Sequence, residues 1–297
     1  MPLEPVASPP ENLAPSPGGI EIEPRHRSAE AEEGSRSIDA IKAIGHRIRV
    51  AFPPRTRDLE QDEEWFVFNT GAGWRDMRLH DYDALFPVPG LYERVVYDVF
   101  RCESPRVIRD LLAEAVANLG IDASEARVLD LGAGNGHVAA RLHEAGFRRF
   151  VGVDLSAPAR EAAKRDFPGL YDDYAVGDLL NLPRAESVKL DRASFDVMTC
   201  VAALGFGDTP PAVFAAAMNR VRDGGLIAFT IRSDFLDADD RSGFRALVET
   251  LLDRDALTGL RRKTYTHRVN AAGMPIEYTA CLATKTRDAQ PDDIPAA

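Results

Sequence analysis

The chain has 297 residues, 45% of them hydrophobic, enough for one large domain or two small ones around a substantial core. Its 47 acidic against 36 basic side chains leave a net charge of -11 and a pI near 5.1, the wrong sign for a phosphate backbone, which disfavours a nucleic-acid substrate. No apolar run reaches the roughly 18 residues of a membrane span, no signal-peptide core opens the chain, and Cys102, Cys200 and Cys281 are too few and too scattered for a disulfide framework or a zinc set. A reducing cytoplasm is the expected compartment.

Residues 1–36 carry prolines at 2, 5, 9, 10, 15, 17 and 24 followed by an acidic stretch, and are expected to be disordered. Ile38, Ile41, Ile44 and Ile48 then recur at helical spacing, which predicts a helix over 38–51 weakened by Gly45 and ended by Pro53-Pro54. Residues 62–102 hold both tryptophans, Trp65 and Trp74, among several Phe and Tyr, and are divided by Pro87, Pro89 and Gly90. Residues 37–104 therefore read as an accessory region. Its aromatics suit either a helical lid that shields a ligand from water or the packing of N-terminal helices. From Ser104 to Leu119 a helix is predicted. Pro105 sits in its first turn, Gly120 follows its end, and Val107, Ile108, Leu111, Leu112, Ala115, Val116 and Leu119 share one face.

The stretch on which the rest depends is Arg127–His137, R-V-L-D-L-G-A-G-N-G-H. Val128, Leu129 and Leu131 make the apolar run of a strand buried on both faces, and Gly132, Gly134 and Gly136 follow at alternate positions before a helical pattern from His137. A strand that passes through a glycine turn into a helix opens a nucleotide-binding α/β sheet, whose ligands sit at the strand ends. The dinucleotide pattern needs a small residue where His137 stands, and no Gly-Lys pair makes a phosphate loop.

Alternation of strand and helix continues. Phe150–Val153 is a second strand ending in Asp154, 24 positions after Asp130, with Ser156 as N-cap and Pro158 in the next helix. An acid at that tip suits the two hydroxyls of a ribose. Tyr174–Val176 is a third strand, leading to Gly177-Asp178-Leu179, where Asp178 suits an adenine amino group and Leu179 the ring's face. Phe195–Val201 is a fourth, a helix spans 211–222, and Asp223-Gly224-Gly225 leads into a fifth strand, Leu226–Ile231. Lys263–Val269 and Tyr278–Lys285 form a closing hairpin, and the tail from Arg287 is expected to fray.

In order and spacing these motifs resemble the class I S-adenosylmethionine (SAM) methyltransferases, over roughly residues 105–285. The resemblance implies an α/β, Rossmann-like, seven-stranded and mostly parallel sheet with an antiparallel last strand, helices on both faces and an N-terminal helical lid. The SAM-binding domain would be residues 105–286, and 287–297 a flexible tail. It implies SAM as cofactor. Gly132, Ala133, Gly134 and Gly136 would lie against its methionine part, Asp130 would bind its ammonium directly or through water, Asp154 would take the ribose, Asp178 and Leu179 the adenine, and Leu155 would also line the cofactor site. Val201 and Ala202 would lie beneath the reactive methyl. The fourth strand lacks the motifs of DNA base methylation, and no metal-ligand set is apparent. His80, Asp208 and His267 are candidates for a general base. The expected activity is methylation of O, N or C of a small molecule. A protein or peptide methyltransferase, with the N-terminus as docking arm, and a SAM-binding regulator without turnover remain as alternatives.

Overall fold

A computed structural model describes residues 20–22, 38–52, 63–205 and 209–295. The expected disorder of 1–36 therefore lies outside the described residues, except at Ile20–Ile22. The chain divides into two compact units, Met1–Cys102 with Arg268–Ile276, and Glu103–His267 with Glu277–Ala297.

Beside its helices the first unit holds a sheet that helical periodicity did not anticipate. Strands β1 (Ile20–Ile22), β2 (Arg49–Phe52), β3 (Trp65–Asn69) and β4 (Trp74–Arg78) lie in that order, each antiparallel to the next. Helix α1 (Ile38–Gly45) stops well before residue 51. At its last residue two backbones come close: a Cβ on Gly45 would stand 2.4 Å from the carbonyl oxygen of Gly90. Ile48 and the β2 residues Val50 and Phe52 then join Phe66, Phe68 and Phe100 in one core. Val67 and Trp74 are buried with Ala51 in a second cluster. Packing within this unit thus accounts for most of the aromatic richness. Helix α2 (Tyr82–Leu85), capped by Asp81, and a π-helical turn over Glu93–Val99 complete it.

The second unit is the expected α/β sheet. Its strands are β5 (Arg127–Leu131), β6 (Arg149–Asp154), β7 (Asp173–Val176), β8 (Phe195–Cys200), β9 (Val221–Arg232), β10 (Leu257–Val269) and β11 (Pro275–Lys285), in the order β10-β11-β9-β8-β5-β6-β7. Pairs β5–β6, β5–β8, β6–β7 and β8–β9 are parallel and β11–β9 antiparallel. The helices are α3 (Ser104–Leu119), α4 (His137–Glu144), α5 (Ala157–Asp166), α6 (Arg184–Arg192), α7 (Pro211–Met218) and α8 (Phe244–Asp253). Alternate strand residues feed two cores, as the pleat requires. Val128, Phe150 and Val197 pack with α3 and α4, while Leu129, Val151 and Met198 pack with α7 and α8.

Three expectations are corrected in detail. Leu119, expected on the buried face of α3, is 59% exposed in its last turn. The helix from 211 ends at Met218, and β9 begins at Val221, because the Asp223-Gly224-Gly225 turn is absorbed as an irregularity in its pairing with β8. The tail from Arg287 is held as far as 295. Asn219 exchanges hydrogen bonds with the Ala289 backbone at 2.9 and 2.7 Å, and Asp293 accepts from Arg287 at 2.7 Å and Arg254 at 3.1 Å. The Arg287 guanidinium holds the Asp293 carboxyl down at about 2.

Candidate functional site

The C-terminal edge of the parallel strands carries the residues singled out above. At β5 the chain must turn from strand to helix between Leu131 and His137. Gly132, Gly134 and Gly136 do so with φ of 69°, 53° and 91°, all in the left-handed region. The amides of Gly132 and Ala133 donate to the carbonyl of Val153 at 2.8 and 3.1 Å, which ties the turn to β6. A Cβ on Gly132 would lie 2.8 Å from Cβ of Ala203, so the turn also packs on the segment leaving β8. Gly132→Ala is expected to cost about 1–2 kcal/mol of stability, from the left-handed backbone and this contact together. Urea denaturation measures it, and an unchanged midpoint would contradict the packing.

Asp130, one residue inside β5, is 1% exposed. The hydroxyl of Thr199 on β8 donates to its Oδ1 at 2.7 Å, and the hydroxyl of Tyr171 donates to its Oδ2 at 2.8 Å. Burial lifts the carboxyl to about 6 against these two donors, and the Asp154 charge adds to the rise. Since this lies above its unfolded value of 3.8, the contribution to stability is complete below that value and is lost as the pH climbs through about 6. The carboxylate is therefore not presented to solvent. Direct contact with an ammonium, one of the two modes expected, does not fit that burial.

Asp154 ends β6 half-buried, its Oδ2 accepting from the Gly134 amide at 2.8 Å and its Oδ1 from the Ser156 amide at 2.9 Å. Ser156 caps α5 as expected. Asp178 follows β7, and its carboxyl is lowered by hydrogen bonds from the Asn181 side-chain amide and the Leu180 backbone. Leu179 is buried, whereas Leu155 and Leu180 are 59% and 51% exposed. Apolar surface thus flanks both acidic tips. Beyond β8, Val201 is buried, and Ala202 takes φ of 56° with its amide donating to Thr230 at 2.8 Å. A non-glycine residue held left-handed stores local strain of the kind that gathers at functional sites.

Of the three candidate bases, Asp208 lies outside the described residues. His80 belongs to the first unit, where it meets Tyr82 edge-on at 5.8 Å. His267 is buried in the second unit, stacked 4.0 Å from Tyr278, its Nδ1 2.6 Å from the Ser104 hydroxyl, which is also 2.5 Å from the Tyr265 hydroxyl. Tyr278 pairs with Arg232, the last residue of β9, which puts His267 toward the same sheet edge as the glycine turn. Also at this edge, Gly205, Arg232, Asp234 and Phe235 line a cavity of about 530 Å³. Among the described residues no group of three or more His, Cys, Asp or Glu is arranged to hold a metal ion, and no helix is long and apolar enough to cross a membrane.

Sequence reasoning passed over Tyr171, Tyr174 and Thr199. Thr199 stands in the apolar run F-D-V-M-T-C, and a polar residue inside a buried strand signals a fixed partner.

A family model described as a methyltransferase domain matches residues 100–273. The human protein methyltransferase-like protein 27 is 28% identical over 183 residues, 62% of this chain and 67% of the relative. Among solved structures, the N-methyltransferase NodS of Bradyrhizobium japonicum, in complex with S-adenosyl-L-homocysteine (SAH), is similar over 70% of this chain and 97% of that one, at 13% identity and a TM-score of 0.46. The O-methyltransferase TomG of Streptomyces achromogenes, in complex with SAM, covers 61% of this chain and 79% of its own, at 20% identity and a TM-score of 0.42.

Proposed function

Because the chain belongs to the SAM-dependent methyltransferase-domain family, we propose that it methylates a small-molecule acceptor at the C-terminal edge of β5, β6, β7, β8 and β9. The observation that carries this reading is the row of strand ends along that edge. A turn of three left-handed glycines is tied through Gly134 to Asp154, and Asp178 follows on the neighbouring strand. These residues fit SAM. The glycines put no side chain between the turn and its methionine portion, the start of α4 favours its carboxylate, Asp154 accepts from the ribose, and Asp178 and Leu179 meet the adenine, with Leu155 and Leu180 exposed beside the two acids.

When bound, SAM supplies an electrophilic methyl on a sulfonium. The protein's share is alignment and exclusion of water, which can lower the barrier of an in-line displacement by several kcal/mol. In this reading Ala202 sits under the transfer, its backbone fixed by Thr230. His267, its Nδ1 2.6 Å from the Ser104 hydroxyl, is the base candidate at this edge for an acceptor that loses a proton. The acceptor's size is supported by the nearby cavity, about 530 Å³, within the range of small-molecule sites.

Incubation with SAM and separated pools of small metabolites and of proteins, read as SAH formed, tests the proposal. SAH is expected to accumulate with a metabolite fraction. Turnover with the protein pool alone would transfer the reading to a protein or peptide acceptor.

A further inference from the structure

We propose that Tyr171 and Tyr174 are positioning residues for the cofactor, bracing the glycine turn from the sheet so that its backbone is set before the ligand arrives. The inference rests on the reading of that turn as the SAM site, and adds residues that lie outside the glycine motif.

One rung of the sheet runs Thr199, Asp130, Gly152 and Tyr174, each Cα opposite the next. Gly152 is the empty place in that rung. It is in strand conformation, so glycine is not needed there for its backbone angles. It is needed for space. A Cβ at 152 would stand 2.8 Å from Cδ2 of Tyr174 and 3.1 Å from Cε1 of Tyr171.

Over this gap the two rings meet edge to face at 5.2 Å. The Tyr171 hydroxyl donates to Oδ2 of Asp130 at 2.8 Å, and the Tyr174 hydroxyl donates to the carbonyl of Gly134 at 2.7 Å. Asp154 already accepts from the Gly134 amide, so this residue is held through both its N–H and its C=O. The Tyr171 ring also lies under the far end of the turn, where a Cβ on Gly136 would be 3.0 Å from its Cε2. A glycine-rich turn has more conformational freedom to lose on binding than any other segment. Bracing it in advance removes that cost from the binding step.

The bond to Asp130 makes the role readable by pH. The groups acting on this carboxyl are the hydroxyls of Thr199 and Tyr171 and the carboxylate of Asp154. Burial keeps the phenols of Tyr171 and Tyr174 and the thiol of Cys200 protonated, and on α4 His137 is turned edge-on to Phe167 at 6.2 Å. Ionised Asp130, at the strand end before the turn, favours the ligand's ammonium by its charge without touching it, so SAH affinity rises with pH through about 6. Removing the Tyr171 hydroxyl removes a donor that favours the ionised form, and the midpoint moves upward. Removing the Tyr174 hydroxyl, which bonds a carbonyl, leaves the midpoint in place.

Calorimetric titration of SAH into full-length wild type, Tyr171→Phe and Tyr174→Phe, from about pH 5 to about pH 8, tests this. Each substitution is expected to raise Kd about tenfold, and Tyr171→Phe alone to shift the midpoint upward. Gly152→Ala, which displaces both rings while keeping both hydroxyls, is expected to weaken binding similarly. Should Tyr171→Phe fail to fold, Tyr174→Phe and Gly152→Ala carry the test. Wild-type affinity and midpoint in the variants overturn the inference and leave the SAM site standing, as does a weaker Tyr171→Phe whose midpoint stays put. A wild type that binds no SAH overturns both.

Discussion

Asp154→Ala is expected to weaken SAH binding by at least about 100-fold, the largest functional effect of any single substitution at the site. The carboxylate is aimed by two backbone donors, the amides of Gly134 at 2.8 Å and Ser156 at 2.9 Å. It therefore joins the glycine turn, the end of β6 and the start of α5. In the proposed complex it also accepts from the ribose. A hydrogen bond to a charged group contributes about 1.5–3 kcal/mol, so losing the ribose contacts together with the restraint on the turn amounts to roughly 3 kcal/mol, or about 100-fold. Asp154→Asn keeps the size but turns an amide toward the Gly134 N–H in one of its two orientations, and should fall between wild type and alanine. Titration calorimetry with SAH reads both. An alanine variant that binds as wild type would place the ribose elsewhere and remove the main support for the site.

The largest expected loss of stability lies in the other unit. Glu64 and Arg268 form an ion pair at 2.5 Å with only 2% and 4% of their surfaces exposed. Glu64 also accepts from the Ala271 amide at 2.6 Å, and the Arg268 guanidinium lies over the Phe100 ring at 5.1 Å. Removing one partner of such a pair leaves an uncompensated buried charge, which costs about 3–5 kcal/mol, whereas replacing both by apolar residues is often neutral. Arg268→Ala is therefore expected to lower the urea midpoint of this unit by an amount corresponding to about 3–5 kcal/mol, and Glu64→Leu with Arg268→Met to recover most of it. A loss below about 1 kcal/mol in Arg268→Ala would mean that the pair behaves as a solvated one.

How far each unit could be read from sequence differs for a physical reason. In the second unit the signals are local. An apolar run that ends in an acid, glycines at alternate positions and a Ser–Pro cap each act within a few residues. Strand β5, the turn at Gly132–Gly136, Asp154 at the tip of β6 and the Ser156 cap all stand where that chemistry put them. In the first unit the isoleucine spacing is helical, but Gly45 meets the backbone at Gly90, and β2 pairs with β3 across residues well separated in sequence. Periodicity carries no information about such contacts, which is why a sheet formed where helix was expected.

By itself, the sequence determined the parallel sheet, the order of its strands' chemistry, the left-handed turn and the acids at the strand ends, because backbone preference and short-range pattern suffice for these. Only the tertiary structure decided what surrounds them. Asp130 is buried between Thr199 and Tyr171, Gly134 is held by Tyr174, and the tail is anchored through Asp293. Each of those contacts joins residues 6 to 69 positions apart, and which of many polar groups become partners depends on packing across strands rather than on neighbours along the chain.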